Sequence, residues 1–150
     1  VGRGTGISDQ RLLTKIEVIK TALLCHHPPD VNTLEKVGGM EIGAMAGVMI
    51  GAAAKRVPVV IDGVISAAAA LIAIQLAPAC IAYMLASHRS IEPGHSIALD
   101  YLGLDPFLDL NLHLGEGSGA ALSFPIIDAA MRTLQEMATF DDAGVSDSID

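Results

Sequence analysis

The sequence predicts an α/β fold: a parallel sheet flanked by helices, Rossmann-like and incomplete. Three observations carry this. Helical and strand-like apolar segments alternate along the chain. Polar turns, Asp62-Gly63 and Ser87-His88-Arg89-Ser90, follow the two clearest strand-like runs. The apolar mass is Ala, Val, Ile, Leu and Met, with 15 Gly and only 3% aromatic residues, which suits close helix–sheet packing better than an aromatic-lined groove. A chain of 150 residues can bury one real core. It begins at Val1 rather than Met, inside a glycine-rich stretch, so it reads as a piece of a longer protein. Residues 1–140 form the expected α/β unit, and 141–150 read as an acidic, apolar-poor, flexible tail.

Gly2-Arg3-Gly4-Thr5-Gly6 is a glycine-rich loop bearing one cation. Ser8 reads as an N-cap, with Asp9 in the first turn. Leu12, Ile16, Ile19 and Leu23 recur at helical spacing and predict a helix over 9–25 with one buried face. A glycine loop running into a helix start is an anion site in outline, because free backbone N–H groups converge there; the Walker A pattern is absent. His26-His27-Pro28-Pro29 ends that helix, and Asp30 is placed to cap a short one through Lys36, broken by Gly38-Gly39.

Residues 40–56 are almost wholly apolar and small. Gly43, Gly47 and Gly51 fall four apart, on a face that would let another backbone approach closely. Residues 57–61 read as a buried strand, with Pro58 tolerable near its start. Residues 64–76 read as a buried Ala-rich helix stopped at Pro78, and 81–86 as a short strand. Pro93 introduces a short helix over 95–102, and 104–114 hold a turn and a short strand. Ser123 is the expected cap of the last helix, since Pro125 is best tolerated in a first turn. Ile127, Ala130, Met131, Leu134 and Met137 make its expected buried stripe.

Several function classes drop out. Net charge is −8 with no Lys/Arg cluster, so nucleic acid is not an expected partner. Cys25 and Cys80 sit in apolar helical contexts and read as buried free thiols. His26 and His27 beside Cys25 lack a second Cys/His pair at ligand spacing, so no metal is expected. Residues 64–87 carry no charge, which raises a small membrane protein as an alternative. Gln75, Pro78 and the high Ala content argue against it.

Leu114-Gly115-Glu116-Gly117-Ser118-Gly119-Ala120 places one carboxylate among three glycines, just before an amphipathic run. Glycines permit positive φ and close approach of a ligand. A lone Glu there, partly desolvated in a cleft, would gain the raised pKa of a general base. The plain alternative is a glycine-rich turn with a solvated Glu.

Taken in order, Gly2-Arg3-Gly4-Thr5-Gly6, Lys36-Val37-Gly38-Gly39 with Glu41-Ile42, Asp62-Gly63, Ser87-His88-Arg89-Ser90 with Glu92-Pro93-Gly94-His95, the Glu116 stretch and Gln135-Glu136-Met137-Ala138-Thr139-Phe140 form a specific series. It resembles the C-terminal part of the nicotinate-nucleotide–dimethylbenzimidazole phosphoribosyltransferase family, over residues 1 to about 145. The resemblance implies transfer of the phosphoribosyl group of nicotinate mononucleotide to dimethylbenzimidazole, giving alpha-ribazole phosphate and nicotinate in cobalamin lower-ligand synthesis. It implies a cytoplasmic homodimer, no membrane and no cofactor, with residues 1–140 part of the α/β phosphoribosyltransferase domain.

Residue by residue, the resemblance makes Glu116 the catalytic base, flanked by Gly115 and Gly117 at the substrate. Gly2, Arg3 and Gly4 would lie along the phosphate or ribose, and Gly63 and Ser90 near the nicotinate. His88 and Arg89 would hold their loop, and His113 would bring positive charge towards the nicotinate carboxylate. Family members are more than twice as long, so a fragment or dimerisation module without catalysis is the competing expectation.

Overall fold

In the computed structural model, which describes residues 1–4, 6–26 and 33–145, six helices and four short strands succeed one another. They are α1 (Asp9–His26), α2 (Thr33–Val37), α3 (Met40–Ala54), β1 (Val59–Ile61), α4 (Val64–Leu76), β2 (Met84–Ala86), β3 (His88–Ser90), α5 (Pro93–Leu102), β4 (Leu108–Leu112) and α6 (Ser118–Glu136). A 3-10 segment, Pro78–Tyr83, joins α4 to β2.

The strands pair in parallel, β1 with β2 and β3 with β4. β2 and β3 are one extended run interrupted only at Ser87. That residue belongs to both ladders: its N–H donates to the Ile61 carbonyl at 3.0 Å, and its carbonyl accepts from the Leu108 N–H at 3.0 Å. The 84–90 run therefore lies between β1 and β4. Residues 88–90, expected as part of a loop, are strand because β4, distant in sequence, pairs with them.

The core lies where α4 packs on α3 and α5 above β1 and β2. Ala67, Ala69, Ala70 and Ala73 of α4 are fully buried, as is Ile61, with Ala46, Met49, Cys80, Met84, Ala98 and Leu102 around them. Alanine on several sides lets helices approach closely at little side-chain entropy cost. α4 keeps the bounds its composition predicts. No helix among the described residues is long and apolar enough to cross a membrane, and the charge-free stretch 64–87 is split into α4, the 3-10 segment and β2.

The outer helices depart from expectation. α1 has no buried residue, and Leu23 is 45% exposed, because among the described elements α1 packs mainly on α2. Cys25 is exposed; only Cys80 is buried, and burial pushes its thiol pKa up. Nothing approaches Gly47 or Gly51, so the glycine face of α3 is open in this chain. His27 and Asp30 lie outside the described residues.

α6 begins at Ser118, not after Ser123, so Pro125 lies inside it. The buried Ser123 hydroxyl donates to the Ala120 carbonyl at 2.8 Å and caps nothing. The expected Met stripe is bare: Met131, Leu134 and Met137 are 50%, 82% and 71% exposed. The buried residues of α6, Gly119 and Ser123, lie in its first turns, and Ile127 is half-buried. Beyond α6, Asp142 accepts hydrogen bonds from the Thr139 N–H and hydroxyl, closing a turn at the start of the acidic stretch.

Candidate active site

In parallel sheets, ligand-binding loops gather beyond the carboxyl ends of the strands. Here these are Asp62-Gly63 after β1, Ile91-Glu92 after β3 and residues 113–117 after β4.

The last of these holds an unusual backbone. Gly115, Glu116 and Gly117 take φ of +70°, +56° and +76°, three successive left-handed residues. Glycine adopts this freely, whereas for Glu116 it costs about 1–2 kcal/mol. Such strain collects at functional sites. The turn is closed by hydrogen bonds to the Gly115 carbonyl from the Ser118 N–H at 3.0 Å and hydroxyl at 2.7 Å. Glu116 itself is exposed. The expected dry carboxylate is therefore not formed by this chain alone, because only the helix turn behind the loop is packed.

Behind the loop lies a buried polar cluster. Asp62 Oδ1 accepts the Ala120 N–H at 3.0 Å and stands 3.9 Å from His88 Nδ1. His88 Nδ1 shares a hydrogen bond with the Ser87 hydroxyl at 2.9 Å. The His88 and His95 rings lie 5.7 Å apart. His95 is fully buried, and its Nδ1 accepts the Ser90 N–H at 3.0 Å, which leaves the proton of the neutral ring on Nε2. Burial first, then the neighbouring His88, lowers its pKa to about 4.

The second group gathers around Glu92. Its carboxylate accepts the Gly4 N–H at 2.9 Å, and its own N–H donates to the Ser90 hydroxyl at 3.3 Å. The same carboxylate fills the space a side chain on residue 2 would need, so a larger residue there would displace it. Lys15 Nζ donates to the Gly2 carbonyl at 2.9 Å. Arg3 donates to the Ile7 carbonyl and pairs with Asp9, so its charge is held at the start of α1.

The fold thus brings Gly2, Gly4 and Ser90 together through Glu92, and joins the Glu116 loop to the β1 end through Asp62. Gly63 starts α4, and its carbonyl accepts from Ser66 and Ala67. His113 is exposed. His88, expected to hold its loop, is 3% exposed and lies against Ser87, Asp62 and Gly119. Asp62, Glu92 and His95 are not singled out by the sequence as site residues. No periodicity marks them, and only their places after a strand or at a Pro-started helix could have drawn attention. An apolar cleft of about 330 Å³ lies elsewhere, lined by Leu34, Ile42, Leu71, Ile72 and Gln75 among others. It takes the half of α4 away from Gly63, and no residue of the Glu116 loop lines it.

A family model described as phosphoribosyltransferase matches residues 1–145. A nicotinate-nucleotide–dimethylbenzimidazole phosphoribosyltransferase of Chloroflexus aurantiacus is 59% identical over 99% of this chain and 43% of its own length. One from Desulforamulus reducens is 57% identical over 97% of this chain and 42% of its own. The crystal structure of CobT from Thermus thermophilus superposes with a TM-score of 0.89 at 44% identity, covering 97% of this chain and 44% of that one. The chain therefore spans less than half the length of the relatives it matches.

Proposed function

The chain belongs to this phosphoribosyltransferase family, and on that premise we propose that, within a protein of family length, it transfers the phosphoribosyl group of nicotinate mononucleotide to dimethylbenzimidazole. The observation that carries the reading is the Glu116 loop. A carboxylate stands on a strained, left-handed turn beyond the strand ends, and the helix behind it is anchored to β1.

The chemistry asks for one base. The unprotonated azole nitrogen attacks the anomeric carbon, and the bond to the pyridinium nitrogen breaks with its electron pair going to that ring. Nicotinate leaves without needing a proton, so no general acid is required. The azole N–H gives its proton to Glu116 as the new bond forms. Attack from the face opposite the leaving group inverts the β-linked sugar to the α product. Gly2, Arg3 and Gly4 take the phosphate or ribose, with the anion drawing Arg3 from Asp9. Gly63 and Ser90 lie towards the nicotinate, and Gly115 and Gly117 let the base approach Glu116.

The same reading makes the protein a cytoplasmic homodimer of cobalamin lower-ligand synthesis. Exposed apolar side chains, Leu13, Val18 and Leu24 on α1 and Met131 and Leu134 on α6, leave room for further chain or a second copy. Glu116→Gln in the family-length enzyme keeps the shape and removes the basicity. Turnover is expected to fall by roughly 10²–10⁴, and near-normal turnover would falsify the assignment.

The exposure of Glu116 favours a second reading for the isolated chain, that it binds without turning over. Titration calorimetry with nicotinate mononucleotide tests this. Heat of binding from the 150-residue chain would show that its pocket suffices for the nucleotide.

A further inference from the structure

Helix α6 starts without a cap of its own. Its N-cap residue, Gly117, has no side chain, and the N–H groups of a first turn need acceptors from elsewhere. The Ser118 and Ala121 N–H groups bond to the Gly115 and Gly117 carbonyls. The Ala120 N–H is taken by Asp62 Oδ1, 58 residues away in sequence. A carboxylate at this end of a helix is also favoured by the helix dipole.

A second contact fixes the same turn. The His88 ring occupies the place a Cβ on residue 119 would take, so α6 lies directly against the imidazole. The ring cannot readily retreat: Ser87 holds its Nδ1, and the fully buried His95 lies beside it. Gly119 is itself buried.

We propose that Asp62, His88 and Gly119 form a seat that sets where the Glu116 carboxylate stands, with Asp62 as its principal positioning residue. This rests on Glu116 being the base. Between Glu116 and the capped Ala120 lie only Gly117, Ser118 and Gly119, so a shift of the first turn is a shift of the carboxylate. Proton transfer demands correct placement to within a fraction of an ångström, and a 1 Å displacement costs about 100-fold in rate.

The test uses the family-length enzyme. Asp62→Ala removes the acceptor and is expected to lower kcat by about 10- to 100-fold, with KM for nicotinate mononucleotide within about threefold. Asp62→Asn keeps an oxygen for the Ala120 N–H and is expected to recover most of that loss. Gly119→Ala drives a methyl into the imidazole and is expected to cost a similar factor. Its cost should shrink at least about threefold when His88 is already Ala, because the space has been freed.

Wild-type kcat in Asp62→Ala, an Asp62→Asn variant as poor as Asp62→Ala, or an equal cost of Gly119→Ala in both backgrounds each overturns the seat. Should Gly119→Ala not fold, the Asp62 pair decides. Amide exchange separates this idea from the base assignment. In Asp62→Ala the Ala120 N–H should exchange about 10-fold faster whatever Glu116 does, and unchanged exchange sinks the seat alone. Undiminished turnover in Glu116→Gln sinks the base reading and leaves the exchange result standing.

Discussion

Helices α4 and α6 are opposite cases. α4 has no polar stripe to orient it, yet four of its alanines are fully buried and its bounds follow from composition. α6 has the amphipathic pattern of a helix with one buried face, yet beyond Ser123 that face holds no buried residue, Ile127 being half-buried and Met131 and Leu134 exposed. An apolar stripe says that a surface wants cover; it does not say that the same chain supplies it. α4 packs against both α3 and α5, whereas the buried residues of α6, among those described, lie in its first turns.

That contrast can be broken by substitution. Leu102→Ala, at a buried site where α5 joins the core built on α4, should cost about 2–5 kcal/mol in denaturant unfolding. A cost near zero would mean that the α3–α4–α5 unit is not the stabilising core.

Next in size is an acid effect centred on His95. Its folded pKa lies at about 4, below the ordinary histidine value of 6.5. The unfolded chain then binds the proton more readily, so stability is full above about pH 6.5 and falls as pH drops towards 4. The loss approaches about 3 kcal/mol. Melting temperature followed across that window should lose part of its slope in His95→Gln; an unchanged slope would place the acid sensitivity elsewhere.

The smallest effect belongs to α6. Leu134→Ser, at a position 82% exposed, should change the stability of this chain by no more than about 0.5 kcal/mol. If the stripe is covered in a protein of family length, the same change should cost about 2 kcal/mol there. Equal effects in both proteins would show that the stripe stays bare.

What can be read from sequence follows the same division. The α/β alternation and α4 are legible because composition and breakers are local: Gly63 and Pro78 bracket an unbroken apolar helix. β3 is not, since three residues carry no period and its pairing is set by β4. The start of α6 is misplaced by its sequence because Ser123-Phe124-Pro125 has the form of a cap, while the side-chain acceptor at the true start is Asp62. The Glu116 loop is legible from its glycines, and the left-handed φ values follow. Its dryness is not, because solvent exclusion depends on what is packed above a loop. His95 is invisible as a site residue, since its burial comes from β3 and α5 folding onto one another.

Ser87 receives and passes on hydrogen bonds in opposite directions, to Ile61 on one side and from Leu108 on the other. One residue is thus the common reference mark for both halves of the sheet. The turn after β1 and the turn after β4 are measured from it, so neither can slide without disturbing the other. A one-residue insertion at that mark would throw the two loops out of alignment while leaving every helix intact.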